Sequence, residues 1–139
     1  MKEIKFWLKL IGVAFLLHIA LILLSILEVA IYSYLIAPGK DEAFYKGHAE
    51  ITGPWISGIF GSLFIFMLVR RFIRQSNGRL LTYTLALPFI YIGLDFVMLL
   101  SFQINWNEHL PVLVIANGAK IISSLIAYFV YKSKANTIK

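Results

Sequence analysis

Three formally charged residues stand well inside long apolar runs of this sequence: Glu28, Asp95 and Lys120. In water such residues would be unremarkable. In hydrocarbon each one costs several kcal/mol unless it is paired, hydrogen-bonded or open to a water-filled cavity, so intramembrane ionisable residues point to function by default. Two carboxylates and one ammonium leave one acid in excess. The second acid must hold a proton, bind a cation or meet a cationic ligand, and two neighbouring carboxylates titrate as a pair.

The surroundings of each charge are polar at helical spacing. Positions three and four apart share one face of a helix. That rule groups Ser25, Glu28 and Tyr32; then Thr84, Pro88, Tyr91 and Asp95; then Asn117, Lys120 and Ser124. At about 1.5 Å per residue, Glu28, Asp95 and Lys120 each lie roughly 10–14 Å below the outer end of their segment. A fourth segment contributes no charge but carries "SGIFGS" at residues 57–62, whose pairs Ser57/Gly61 and Gly58/Ser62 favour close helix packing or leave space beside a polar cluster. The expected site is therefore an outward-facing intramembrane pocket of Glu28, Tyr32, Gly58, Gly61, Tyr91, Asp95, Asn117 and Lys120.

The elements that must position these residues follow from composition. The chain has 139 residues, 60% hydrophobic and only 14% charged, too few charges to cover a soluble domain of this size. Apolar stretches recur at lengths that cross a hydrocarbon core of roughly 30 Å as helices. Four spans are expected, at about 10–36, 55–72, 80–102 and 111–131, forming one all-α transmembrane domain over residues 1–139. Pro38-Gly39 ends the first span, Pro54 and Pro111 suit the first turns of the second and fourth, and Pro88 should kink or loosen the third.

Charge placement orients the bundle. Lys2, Lys5 and Lys9, then Arg70, Arg71, Arg74 and Arg79, then Lys132, Lys134 and Lys139 make ten of the thirteen basic residues, and they flank the spans on one side. Both termini and the 73–79 loop are then expected in the cytoplasm, with the 37–54 and 103–110 loops outside and the protein in a bacterial inner membrane. Trp7 would mark the inner interface, Trp55 and Trp106 the outer one. This placement accounts for the net charge of +6 without nucleic acid. In the first outer loop, Asp41 is expected to cap a short helix carrying Phe44, Tyr45, His48 and Ile51, lying on headgroups or over the mouth of the bundle.

Other chemistries find little support. The chain has no cysteine, which removes disulfides, thiolate ligation and thiol redox. His18 falls at a different depth and some 80° around its helix from Glu28, and is expected to bond a third- or fourth-helix partner such as Tyr83 or Tyr128. His48 and His109, near Glu50 and Glu108, lack metal-ligand spacing. No cofactor motif, catalytic residue or nucleophile–base pair is legible. The leading expectation is binding, with or without transport, of a small polar or amphiphilic ligand. The runner-up is a non-catalytic membrane subunit whose charged layer fixes helix packing or a partner, and an intramembrane acid–base enzyme stands third. Expected partners are lipids, that ligand, a second copy or another membrane chain.

Overall fold

Four helices and no strand make up the described residues 2–75, 80–101 and 106–137 of a computed structural model. They are α1 (Lys2–Ile31), α2 (Glu42–Gln75), α3 (Leu80–Ser101) and α4 (Trp106–Thr137). Residues 76–79 and 102–105, with Arg79 among them, and Lys139 lie outside the described residues. All four helices are long and apolar enough to cross a membrane. Only 28% to 39% of each apolar window is buried within the protein, so most of that apolar surface faces outward, as on helices suited to hydrocarbon.

Packing follows regular seams. Leu10, Ala14, Leu17 and Leu21 recur at steps of four and three along α1, and Ile65, Val69 and Phe72 do the same on α2. Leu87 and Tyr91 of α3 and Ala127 of α4 complete the core. At the arginine-bearing end Phe6 lies 4.2 Å from the Tyr83 ring and 6.3 Å from that of Phe72, closing the bundle with aromatics from three helices. Beyond Leu21 no residue of α1 is buried. The bundle thus encloses the first part of α1 tightly, while the part beyond Leu21 packs against the start of α2 without being enclosed.

The first connection differs from the expected loop. Helix α1 ends in a π turn, Tyr32–Ile36, closed by the Ala37 N–H donating to the Tyr32 carbonyl at 2.9 Å. Gly39 takes φ +78°, a left-handed conformation that glycine adopts without strain. The Tyr45 hydroxyl donates to the Ala37 carbonyl at 2.7 Å, and Asp41 Oδ1 accepts from the Phe44 N–H at 2.9 Å, an N-cap. The capped helix is not short: it continues through Pro54 into the second span as one 34-residue helix. At roughly 51 Å it exceeds the hydrocarbon thickness, so one end projects past it. Pro54 removes one N–H inside this helix without ending it, and Pro111 lies likewise within α4 rather than at its start.

Pro88 sits inside α3 and is fully buried. Having no N–H, it leaves the carbonyl four residues back, that of Thr84, without its helical donor. Ser124 of α4 supplies the replacement, its hydroxyl donating to the Thr84 carbonyl. A helix defect is thereby turned into an α3–α4 link. Ser124→Ala should destabilise the protein by about 1–2 kcal/mol in detergent unfolding, because a buried carbonyl loses its donor. Adding Pro88→Ala should recover part of that loss, since residue 88 then offers its own N–H. No recovery would break this account.

Candidate functional site

The polar residues inside the spans form two clusters. The first lies where the later part of α1 meets the start of α2. Ser25 and Glu28 of α1 turn toward α2 near Gly53, where a Cβ would lie in ordinary contact, 3.7 Å from Ser25 Oγ. Glu28 Oε1 is 2.7 Å from His48 Nε2, and Oε2 accepts from the Thr52 hydroxyl at 3.1 Å. His48 and Thr52 are one turn apart on α2, so both reach the same carboxylate. Tyr32, one turn beyond Glu28, stacks on the His48 ring at 3.6 Å with planes 8° apart. This combination holds the imidazole by its edge and its face at once.

The first cluster is partly open. Glu28 keeps a third of its side-chain surface exposed. It lines a groove of about 260 Å³ with Leu24, Leu27, Ile31 and Tyr32 on one wall and Ile56 and Phe60 on the other. Leu27, Ile31 and Phe60 are exposed on the outer surface of the bundle. The groove therefore opens sideways, toward lipid.

The second cluster lies in the tight part and draws on all four helices. Lys120 of α4 is fully buried. Its Nζ donates to Ser57 Oγ of α2 at 2.9 Å and to Asn117 Oδ1 at 3.1 Å, and lies 4.5 Å from the centre of the Tyr91 ring. Tyr91 Oη is 3.4 Å from the same Ser57 oxygen. Across the bundle, His18 Nε2 of α1 is 3.3 Å from Asp95 Oδ1 of α3, and the His18 ring is 4.7 Å from that of Tyr91. Asp95 is within Coulombic reach of both Lys120 and Tyr91. His18 Nδ1 is buried without a hydrogen-bond partner among the described residues.

Small residues make the room. A Cβ at Gly61 would meet Lys120 Cε at 2.8 Å, so glycine at this position is what lets the ammonium stem pass. A Cβ at Gly58 would meet Ala116 at 3.2 Å, which brings α2 against α4 at the level of the lysine. Packing and space for a charge are here one and the same feature.

Of the residues singled out in sequence, Tyr91, Asp95, Asn117, Lys120, Gly58 and Gly61 come together, while Glu28 and Tyr32 belong to the other cluster. Among the described residues no ion pair joins either carboxylate to Lys120. The acid partners are histidines instead. His18 bonds a third-helix residue, but Asp95 rather than Tyr83. Depth counting misled here because the apolar stretch of α1 runs 33 residues, Ile4–Ile36, longer than a membrane is thick, so distance from either end does not give level. The loop expected over 37–54 conceals His48 and Thr52, which lie on α2. Their spacing of four, on a segment already expected to be helical, was the available signal. Ser57 was read for its size and not for its hydroxyl. Among the described residues, no three histidine or acidic side chains gather as a metal site.

The chain matches no known protein family, and neither a curated protein nor a solved structure resembles it at a significant level.

The two clusters share no partner, so they should act independently. In a double-mutant cycle read by unfolding, Glu28→Gln and Lys120→Met should add to within about 0.5 kcal/mol. Glu28→Gln and His48→Ala should instead couple by about 0.5–3 kcal/mol. Strong Glu28–Lys120 coupling would mean that the charges form one network.

Proposed function

We propose that this protein binds, and in its full cycle moves, a small amphiphile whose polar head rests on Glu28 and whose apolar part lies in the lateral groove. One observation carries the reading: a half-open carboxylate at the head of an apolar groove facing lipid. His48 and Thr52 fix the carboxylate from the α2 side, and the groove side is left to the ligand. Leu24, Ile56 and Phe60 offer an alkyl chain only dispersion and shape, so selectivity rests on the head. A cationic or hydroxyl head complements a carboxylate, and a cation in a low-dielectric setting gains most. The ligand arrives from the bilayer, and the open groove admits it without opening the tight part.

In this reading the Lys120 layer holds the helices in place. Its fully buried ammonium, pinned by Ser57 and Asn117, favours the role of fixing helix packing that also defines the alternative, a non-catalytic membrane subunit. The protein sits in a bacterial inner membrane with both termini in the cytoplasm, which places the groove in the outer half.

A dansylated dodecylamine, a dodecanol analogue and a dodecyl sulfate analogue provide the binding test. The amine should bind the detergent-purified protein most tightly, and Glu28→Gln should weaken it about ten- to a hundredfold while sparing the alcohol. Equal binding of all three, or an amine indifferent to Glu28→Gln, would refute the site. Because the chain has no cysteine, topology can be read with single introduced thiols. Lys46→Cys should react with an impermeant maleimide from outside the cell, and Arg74→Cys should not. The reverse pattern would invert the orientation.

A further inference from the structure

The arginine-bearing end of α2 carries a second amphiphilic surface, independent of the Glu28 groove. Arg70, Arg71 and Arg74 surround a hollow of about 540 Å³ together with Gln75, Phe66 and Met67. The steps of four, 66/70/74 and 67/71/75, set the six in two adjacent rows along the helix. None of the three arginines forms an ion pair with a described residue. Between Ile51 and Gln75 the helix has no acidic residue. Three uncompensated guanidinium groups around one hollow complement an anion, and guanidinium forks match phosphate oxygens in pairs.

The same face continues as hydrocarbon. Ile59, Leu63 and Met67 follow one another at steps of four, and all three are exposed on the outside of the bundle. From Ile59 to Arg74 this strip runs roughly 22 Å, enough to lie along an acyl chain from mid-membrane to headgroup. Arginines that only mark an interface would reach singly to the nearest water. Here they converge on one hollow at the end of an apolar track.

We propose that this face of α2 is a binding site for an anionic phospholipid, with the phosphate held by Arg70, Arg71 and Arg74 and an acyl chain lying over Met67, Leu63 and Ile59. The lipid would be a bound component, distinct from the bulk bilayer and from the amphiphile at Glu28.

Native mass spectrometry tests it. Delipidated protein is incubated with dioleoyl phosphatidylglycerol or dioleoyl phosphatidylcholine at equal concentration. The anionic lipid should be retained and the zwitterionic one released. Arg71→Gln/Arg74→Gln, both at exposed positions, should weaken retention about thirtyfold with the melting temperature of the lipid-free protein unchanged. Lys5→Gln/Lys132→Gln removes equal charge at other exposed positions and should leave retention as it was. Equal retention of the two lipids, an arginine variant that still holds the anionic one, or an equal loss in the lysine variant would overturn the proposal. So would inorganic phosphate alone raising the melting temperature as much as the lipid does, because the site would then serve a free anion. If the double arginine variant does not fold, Arg74→Gln alone, with about a fivefold effect, decides between the same outcomes.

Discussion

Hydrocarbon contains no water, so a polar group inside this bundle goes unsatisfied unless the protein itself supplies its partner. That constraint explains most of what distinguishes the four helices from a generic apolar bundle. The Thr84 carbonyl freed by Pro88 is met by Ser124. The Ser123 hydroxyl donates to the Ser62 carbonyl at 2.6 Å, tying α4 to α2. The Lys120 ammonium divides its donors between a hydroxyl and an amide and rests on an aromatic face. Apart from Lys120–Asn117, which stays within α4, each of these contacts crosses between helices, so meeting the demand for partners also decides which helices are neighbours and in what register. Leucine and isoleucine could not do this, because lipid satisfies them equally well.

The constraint acts unevenly along the bundle. Where α1 is buried, from Leu10 to Leu21, His18 is enclosed, its Nε2 on Asp95 and its Nδ1 without a hydrogen-bond partner among the described residues. Further along α1, where no residue is buried, Glu28 has two partners on one side and open apolar space on the other. Two carboxylate–imidazole pairs therefore sit in contrasting settings: Asp95 with His18 in the interior, Glu28 with His48 at an opening. The apparent surplus of acid in the sequence resolves into two acids that each have an imidazole, with the lysine supported by neutral groups.

Much of this was legible in the residues. Apolar run length and basic flanks gave four membrane-crossing helices, and the periodic stripes on α3 and α4 identified Thr84, Tyr91, Lys120 and Ser124, all of which are buried. The grouping of the charges was not legible. Counting residues gives level only for a helix whose length equals the membrane's thickness, and α1 and α2 are both longer. The partners of Glu28 were concealed by Pro54 and by Pro38-Gly39, which together mark off a segment that looks like a loop. In lipid-facing protein a proline need not end a helix, so the punctuation that serves well in soluble sequences divided one helix into two. Gly61 was ambiguous in sequence because tight packing and room for a side chain call for the same missing Cβ.

The continuity of α2 has a mechanical meaning. One end of this rod holds Glu28 through His48 and Thr52 and walls its groove with Ile56 and Phe60, and the other end carries the arginine face. Such a rod acts as a lever, and a displacement at one end is carried toward the other only as far as the rod stays stiff. The lever has one soft joint, at Pro54, where the Glu50 carbonyl lacks its helical donor. That joint falls between the two residues that grip the carboxylate and the two that line the apolar wall. The short arm of the lever can thus bend around the polar head while the long arm stays docked on α4.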